Sequence, residues 1–241
     1  MRGDPRMEHE RPEAVIEEHR IVVPRTARYY TLGPTHGFPR EVWIVCHGFG
    51  QLAARFLQSF APLDDGTRLI VAPEALSRYY LDSIAQRRGQ EAPRVGATWM
   101  TKEFRDAEIA DYVGYLDLVA TEIRHHLTGA SPRFVVLGFS QGTATVARWL
   151  GASDFRADEL ILWGGQIPPE LEASEWAGRL HGAGITLVAG NEDNYITPKV
   201  LAAEAEKLSE AGVPHHVVRF EGGHAIDAAT LVTLAERFTA R

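Results

Sequence analysis

The stretch Arg133-Phe-Val-Val-Leu-Gly-Phe-Ser-Gln-Gly142 decides the fold, because it predicts a buried strand that turns directly into a helix. Residues 134–137 form a short apolar run of β-branched and aromatic types, which is typical of a strand covered on both faces. Residues 141–150 carry apolar side chains at helical spacing, and Gly151 can end that helix. The sequence therefore predicts an α/β unit with Ser140 at the corner between strand and helix.

Ser140 is the central residue of Gly138-Phe-Ser-Gln-Gly142, which matches the pattern G-x-S-x-G. In that pattern the serine has a strained backbone, and side chains two residues before and after it would collide across the turn. The turn also directs the N–H of Gln141 and the positive end of the helix toward whatever binds Ser140. A tight turn that only needs two glycines is the alternative, but the position between strand and helix favours a nucleophile.

A second predicted strand, residues 42–46, leads into His47-Gly-Phe-Gly50. The two glycines allow a loop tight enough for its backbone to approach a substrate. We expect His47 to bond the loop backbone instead of transferring protons. A turn without any further role is the alternative interpretation of the glycines.

Two later strands end in loops that carry an acid and a histidine. The strand at residues 185–189 precedes Glu192 and Asp193, which cannot both face one histidine, and either could merely cap backbone N–H groups. The last strand, residues 214–220, precedes His224 on a glycine-rich loop from which its ring could reach Ser140. Of the ten histidines, His224 alone follows the serine and an acid in such a setting.

Three aromatic side chains are candidate walls of a substrate pocket. Residues 76–99 form a long irregular segment, which we interpret as a flap over the strand ends, with Trp99 and Tyr79 facing the substrate. A solvated excursion with Trp99 in the core is the alternative. Trp163 ends the predicted strand at residues 160–163 on the side where such sheets bind ligands, although core packing explains it equally well.

The 241 residues, 45% hydrophobic and 24% charged, suit one domain over residues 14–241 after a loose tail at residues 1–13. A net charge of -7 argues against nucleic-acid binding and favours a small-molecule or acyl-protein partner. The apolar share is compatible with a homodimer. No P-loop, G-x-G-x-x-G or metal-spaced Cys/His cluster is present, so no cofactor is indicated.

Cellular location can be predicted from the cysteine content and the apolar runs. The single cysteine, Cys46, excludes an internal disulfide and indicates a reducing compartment. The sequence contains no apolar run of about 18 residues and no apolar core of a leader near Met1. We expect a cytoplasmic enzyme without a membrane span.

Four stretches, taken together and in order, resemble the phospholipase/carboxylesterase family of the α/β-hydrolase superfamily, which includes acyl-protein thioesterases and small bacterial carboxylesterases. They are HGFG (47–50), GFSQG (138–142), GNEDNYITP (190–198) and GGHAI (222–226). The resemblance implies an α/β-hydrolase fold, a doubly wound, mostly parallel sheet with helices on both faces. It also implies a serine esterase for short- to medium-chain carboxylic esters, with thioesters and lysophospholipids as further substrate classes.

The resemblance also assigns roles to residues. In the family the acid stands three residues before an aliphatic position and five before a proline, which selects Asp193 over Glu192. Ser140 would then be the nucleophile and His224 the base, and the N–H groups of Phe49 and Gln141 would form the oxyanion hole.

Three positions depart from the family pattern and bear on acyl-chain and head-group preference. They are Gln51 in place of aspartate, Thr143 in place of a second glycine, and Trp99-Met-Thr101 in place of W-F-D. A peptidase or amidase on the same fold is one alternative function, and a binding protein on an inactive scaffold is another. The intact set of Ser140, Asp193 and His224 speaks against the second.

Overall fold

The computed structural model describes residues 16–35, 37–127, 129 and 131–239, so the predicted tail at residues 1–13 lies outside the described residues. Seven strands form the main sheet: β1 Tyr29–Leu32, β2 Glu41–Cys46, β3 Arg68–Pro73, β6 Arg133–Phe139, β7 Glu159–Trp163, β8 Gly184–Gly190 and β9 His216–Phe220. Two strands form a separate antiparallel hairpin: β4 Ser77–Tyr80 and β5 Val95–Thr98.

The helices separate or follow these strands along the chain. They are α1 Ala53–Leu57, α2 Ile84–Arg87, α3 Arg105–His126, α4 Gln141–Ala152, α5 Ala173–Arg179, α6 Pro198–Glu210 and α7 Ala228–Thr239, with a 3-10 turn at Gln58–Leu63. The sheet has the order β1-β3-β2-β6-β7-β8-β9. Only the edge strand β1 is antiparallel to its neighbour within this sheet. The prediction of a mostly parallel sheet is therefore confirmed.

Side chains of the central strands point alternately into two separate cores. In β2, Ile44 packs in the core that includes α3 and α4, whereas Trp43 and Val45 pack in the core that includes α1 and α7. Helices thus cover both faces, which explains why the strands of this sheet are continuous apolar runs in the sequence. The loops that follow the parallel strands all lie at the side of the sheet where the carboxyl ends of these strands meet, and the site lies there.

One predicted strand pair is wrong. The β-branched run at residues 21–23 and the run at residues 27–32 together predict an antiparallel strand pair, but residues 16–28 contain no strand, and Val22 is 97% exposed. Only residues 29–32 form a strand, which pairs with β3 instead. A strand needs a partner ladder as well as β-branched residues, and the free edge of β3 offers β1 a more buried partner than an isolated hairpin would.

Candidate active site

The turn between β6 and α4 holds Ser140 in a conformation that a residue with a Cβ rarely adopts. Its φ is 54° and its ψ is -117°, outside the three main allowed regions. A Cβ on Gly138 would lie 2.3 Å from the carbonyl oxygen of Gly142, and a Cβ on Gly142 would lie 2.1 Å from that of Cys46. The collision predicted across the turn is therefore present at Gly138, whereas Gly142 is needed for close contact with β2.

Backbone and side-chain hydrogen bonds hold this turn against the end of β7. Ser140 N–H donates to the carbonyl of Trp163 at 2.9 Å, and the hydroxyl of Thr143 donates to that of Gly138 at 3.0 Å. A Cβ on Gly165 would lie 2.5 Å from Cβ of Thr143. Glycine at position 165 thus makes room for the threonine that stands where the family pattern has glycine.

Asp193 and His224 lie in the loops after β8 and β9 and are joined by a hydrogen bond. His224 Nδ1 lies 2.7 Å from Oδ2 of Asp193, and the carboxylate is almost fully buried. The other carboxylate oxygen accepts the N–H groups of Tyr195 and Ile196, both at 2.8 Å. Glu192 is exposed, so the structure places Asp193, not Glu192, against the histidine.

The charge state of Asp193 follows from these contacts. Burial by itself would raise the pKa of Asp193, but the hydrogen bonds from Ile196, His224 and Tyr195 outweigh it and hold the pKa below its ordinary value. At neutral pH the carboxylate is therefore ionised. An ionised acceptor at Nδ1 keeps the proton of a neutral imidazole on Nδ1 and leaves Nε2 able to accept a proton.

The ring of His224 is fixed from several sides. Its centroid lies 4.9 Å from that of Phe139, the residue before Ser140, and 4.8 Å from that of Tyr195. A Cβ on Gly164 would lie 3.1 Å from the Cε1 atom of His224. The elbow and the histidine loop therefore meet at one place, with Ser140 and His224 both partly exposed.

Trp163 lies in the core and bonds to the loop that carries His224. Its side chain is 1% exposed, and its indole N–H donates to the carbonyl of Ala225 at 2.9 Å. The expectation that Trp163 forms a pocket wall is corrected accordingly: this side chain points into the apolar core that includes α7, because that is its face in the strand's alternation.

His47 is fully buried, and both of its ring nitrogens bond to backbone atoms. The N–H of Ala75 donates to Nε2 at 3.1 Å, so the proton lies on Nδ1, which donates to the carbonyl of Gly48 at 2.8 Å. Burial lowers the pKa of His47 despite the opposing effects of the Gly48 carbonyl and of Glu74. A neutral histidine bonded to loop backbone agrees with the sequence-based expectation.

The N–H groups of residues 48–51 differ in whether they have acceptors. The N–H of Gly48 donates to Oε1 of Gln51 at 2.8 Å. The N–H of Gly50 donates to the carbonyl of Ala97 at 2.8 Å, and the N–H of Gln51 donates to the carbonyl of Gly48 at 3.2 Å. No acceptor for the N–H of Phe49 is found within the described ranges. Gln51, which replaces the family's aspartate, therefore caps the loop, and Phe49 keeps a donor available.

The segment at residues 76–99 is folded as a hairpin, which corrects the expectation that it is irregular. Strands β4 and β5 pair in register from Ser77↔Thr98 to Tyr80↔Val95, and α2 lies between them. Tyr79 contacts the ring of Phe49 with centroids 5.4 Å apart, so one predicted pocket residue does lie beside the glycine loop.

Trp99 is 2% exposed, and its indole N–H donates to the carbonyl of His47 at 2.8 Å. Trp99 therefore lies in the core beneath the glycine loop, which corrects the expectation that it faces the substrate and agrees with the alternative of a core residue.

The similarity of this chain to known proteins lies in its structure. No family model matches the sequence, and no curated protein matches it. Solved structures do match. A carboxylesterase from Mesorhizobium loti aligns with a TM-score of 0.65 at 18% identity, covering 89% of this chain and 95% of that chain.

Two further structures agree. Esterase PE8 aligns with a TM-score of 0.63 at 17% identity, covering 90% of this chain and 99% of that chain. Acyl-protein thioesterase 2 from Zea mays aligns with a TM-score of 0.61 at 18% identity, covering 89% and 99%. Together with the sheet order, these likenesses show that the chain has the α/β-hydrolase fold.

The described residues form neither a metal-binding group nor a membrane-spanning helix. Within these ranges, no group of three or more His, Cys, Asp or Glu side chains is arranged to hold a metal ion. No helix among them is both long and apolar enough to cross a membrane.

Proposed function

We propose that this protein is a serine esterase that hydrolyses carboxylic esters through an acyl-enzyme on Ser140. The observation that carries the proposal is the juxtaposition of a strained serine elbow with a histidine bonded to a buried, ionised aspartate. A serine hydroxyl is a weak nucleophile at neutral pH, so it needs a neighbouring base to take its proton. His224 is the base at this site, because its ring lies against the residue that precedes the serine.

The reaction follows from the chemistry of these groups. His224 takes the proton of Ser140 as the oxygen attacks the ester carbonyl, and it then passes that proton to the departing alcohol. Asp193 holds the ring in the correct tautomer and stabilises its charged form. In the second half of the reaction, the same histidine takes a proton from water as the water oxygen attacks the carbonyl carbon of the acyl-serine. The bond between that carbon and the oxygen of Ser140 then breaks, and His224 returns the proton to the serine oxygen as the carboxylic acid leaves.

The tetrahedral intermediates carry a negative oxygen that needs hydrogen-bond donors. We assign that role to the N–H of Phe49 and to the N–H of Gln141, which is the first residue of α4 and has no acceptor inside its own helix. Such a donor contributes about 3 kcal/mol to the transition state. The positive end of α4 adds to the same field.

The proposed substrates are short- to medium-chain carboxylic esters. Two exposed aromatic side chains beside the site support an apolar acyl group: Phe49 is 60% exposed and Tyr195 is 74% exposed. Tyr195 contacts His224, and Phe49 is in the loop assigned to the oxyanion. The solved structures of similar fold include proteins named carboxylesterase and acyl-protein thioesterase, which accords with an ester or thioester substrate.

Turnover of p-nitrophenyl esters from acetate to decanoate tests the proposal, with the Ser140→Ala variant as control. We expect hydrolysis by the wild type with a maximum at one chain length, and loss of at least about 10⁴-fold in kcat in the variant. An unchanged circular dichroism spectrum would show that the variant is folded. Turnover that survives in the folded variant would contradict the mechanism, and preferential cleavage of aminoacyl amides would indicate the peptidase alternative.

A further inference from the structure

The side-chain amide of Gln141 bonds to a segment far away in the sequence. Its Nε2 donates to the carbonyl of Met100 at 2.9 Å, and its Oε1 accepts the N–H of Trp99 at 3.1 Å. The elbow pattern requires no particular side chain at this position. The amide is therefore placed to hold the chain that leaves β5 against the start of α4.

A threonine at the end of β5 completes this contact. Gln141 Nε2 also lies 3.0 Å from Oγ1 of Thr98, which donates to the carbonyl of Met100 at 2.8 Å. Thr98 is almost fully buried. The amide thus bonds polar groups on three consecutive residues. A substitution that removes it leaves the buried N–H of Trp99 without this acceptor, whereas Thr98 and Met100 keep the hydrogen bond to each other.

The same strand holds the loop that carries Phe49. Gly50 N–H donates to the carbonyl of Ala97 at 2.8 Å, and Ala97 N–H donates to that of Gln51 at 3.1 Å. A Cβ on Gly96 would lie 2.4 Å from the carbonyl oxygen of Gly50, so the two backbones are in direct contact. The position of the loop is therefore fixed by β5.

We propose that the side chain of Gln141 is a positioning group that sets the separation of the two oxyanion donors. One donor is the N–H of Gln141 itself, and the other is the N–H of Phe49, which reaches Gln141 through β5 and the amide contacts. This inference rests on the proposed esterase function. Oxyanion donors act within about 2.7–3.1 Å of the oxygen, and a displacement near 1 Å can cost about 100-fold in rate.

Two substitutions of graded severity test the inference. Gln141→Met keeps the length of the side chain and removes all of the side chain's hydrogen bonds. Thr98→Val removes the contacts of the hydroxyl to the amide and to the carbonyl of Met100, but it keeps the amide bonds to Trp99 and Met100. The readouts are kcat and KM for a p-nitrophenyl ester, and the inhibition constant of a trifluoromethyl ketone, which adds to a nucleophilic serine and forms a tetrahedral oxyanion.

We expect Gln141→Met to lower kcat by about 10- to 100-fold with little change in KM. The inhibition constant of the ketone should rise by a similar factor, because the ketone adduct needs the same two donors. Thr98→Val should show a smaller loss of the same kind. If Gln141→Met loses its cooperative thermal transition, Thr98→Val alone provides the test.

Asp82→Asn is the matched control. Asp82 accepts from Nε of Arg94 at 3.0 Å near the far end of the same hairpin, so this variant weakens the hairpin without touching the Gln141 contacts. We expect its kcat and ketone inhibition to equal those of the wild type. An equal loss in Asp82→Asn would overturn the inference, as would wild-type values in folded Thr98→Val and Gln141→Met. A wild type without Ser140-dependent turnover would overturn the esterase proposal and the inference together.

Discussion

The two halves of the candidate site are built in different ways. Ser140, Asp193 and His224 each follow a parallel strand of the main sheet, so their positions are set by the sheet order. The loop that carries Phe49 also follows a strand, but it is held by a hairpin outside that sheet. The first half depends on local turns at the carboxyl ends of β6, β8 and β9, and the second half depends on contacts between segments that are distant in the sequence. Substitutions in one half of the site should therefore have effects that can be distinguished from those of substitutions in the other half.

The largest effect should come from the acid in the sheet half. Asp193→Asn keeps the size of the side chain but removes the charge that holds the proton on Nδ1 of His224. We expect kcat to fall by about 10⁴-fold, the scale of loss when a triad aspartate becomes an amide. Glu192→Gln, one residue earlier and exposed, should keep wild-type kcat. A greater loss in Glu192→Gln would reverse the assignment of the acid.

Both halves differ in how far the sequence predicted them. The elbow, the choice of acid by family spacing and the histidine loop were predicted, because each depends on a short motif directly after an apolar strand. The hairpin was not, since residues 76–99 lack clear alternation and strand pairing between β4 and β5 is decided by docking on the glycine loop. The amide of Gln141 contacts Met100 and Trp99, which precede it in the sequence by 41 and 42 positions, and no local pattern reveals contacts over such a distance.

The orientation of the Trp99 and Trp163 side chains could not be predicted from the sequence either. Trp99 and Trp163 each stand at or just beyond the end of a strand, where a side chain can face a ligand or the core. Their buried indole N–H groups bond to His47 and Ala225, and those partners are fixed only in the folded chain. A buried tryptophan needs an acceptor for its N–H, and the acceptor decides which way it points.

An intermediate effect should come from the hairpin half. Gly96→Ala places a Cβ 2.4 Å from the carbonyl oxygen of Gly50, so the hairpin and the Phe49 loop must separate. We expect kcat to fall by about 10- to 100-fold. Circular dichroism should show an intact main sheet, and steady-state kinetics should show the loss mainly in kcat.

Gly114→Ala is the control for this substitution. Gly114 is inside α3, and among the described residues no atom beyond its chain neighbours and the adjacent helix backbone lies within 4 Å of an added Cβ. The variant should keep its activity and gain up to about 1 kcal/mol in the free energy of unfolding, because alanine favours helix more than glycine does. Equal kinetics in the Gly96 and Gly114 variants would show that the hairpin does not hold the oxyanion loop.

The smallest effect should be a pH dependence of stability at His47. Burial lowers its pKa in the folded state below the ordinary value of 6.5, so the unfolded chain takes up the proton first as pH falls. Stability from this group is present above pH 6.5 and is lost as pH falls through the folded pKa. The slope contributed by one proton is at most about 1.4 kcal/mol per pH unit.

Urea denaturation at pH 7 and pH 5 measures this dependence. His47→Gln should reduce the fall in the free energy of unfolding between the two pH values, whereas His181→Gln, at an exposed position, should retain it. An unchanged fall in the His47 variant would mean that other groups account for the acid sensitivity.

Reaction with a serine-directed fluorophosphonate, followed by intact mass and peptide mapping, tests the central claim most directly. If Ser140 is an activated nucleophile, the wild type should gain one adduct, the adduct should map to the peptide that contains Ser140, and Asp193→Asn should react far more slowly. Folded wild-type protein that gains no adduct, or an adduct that maps to another serine, would contradict the account.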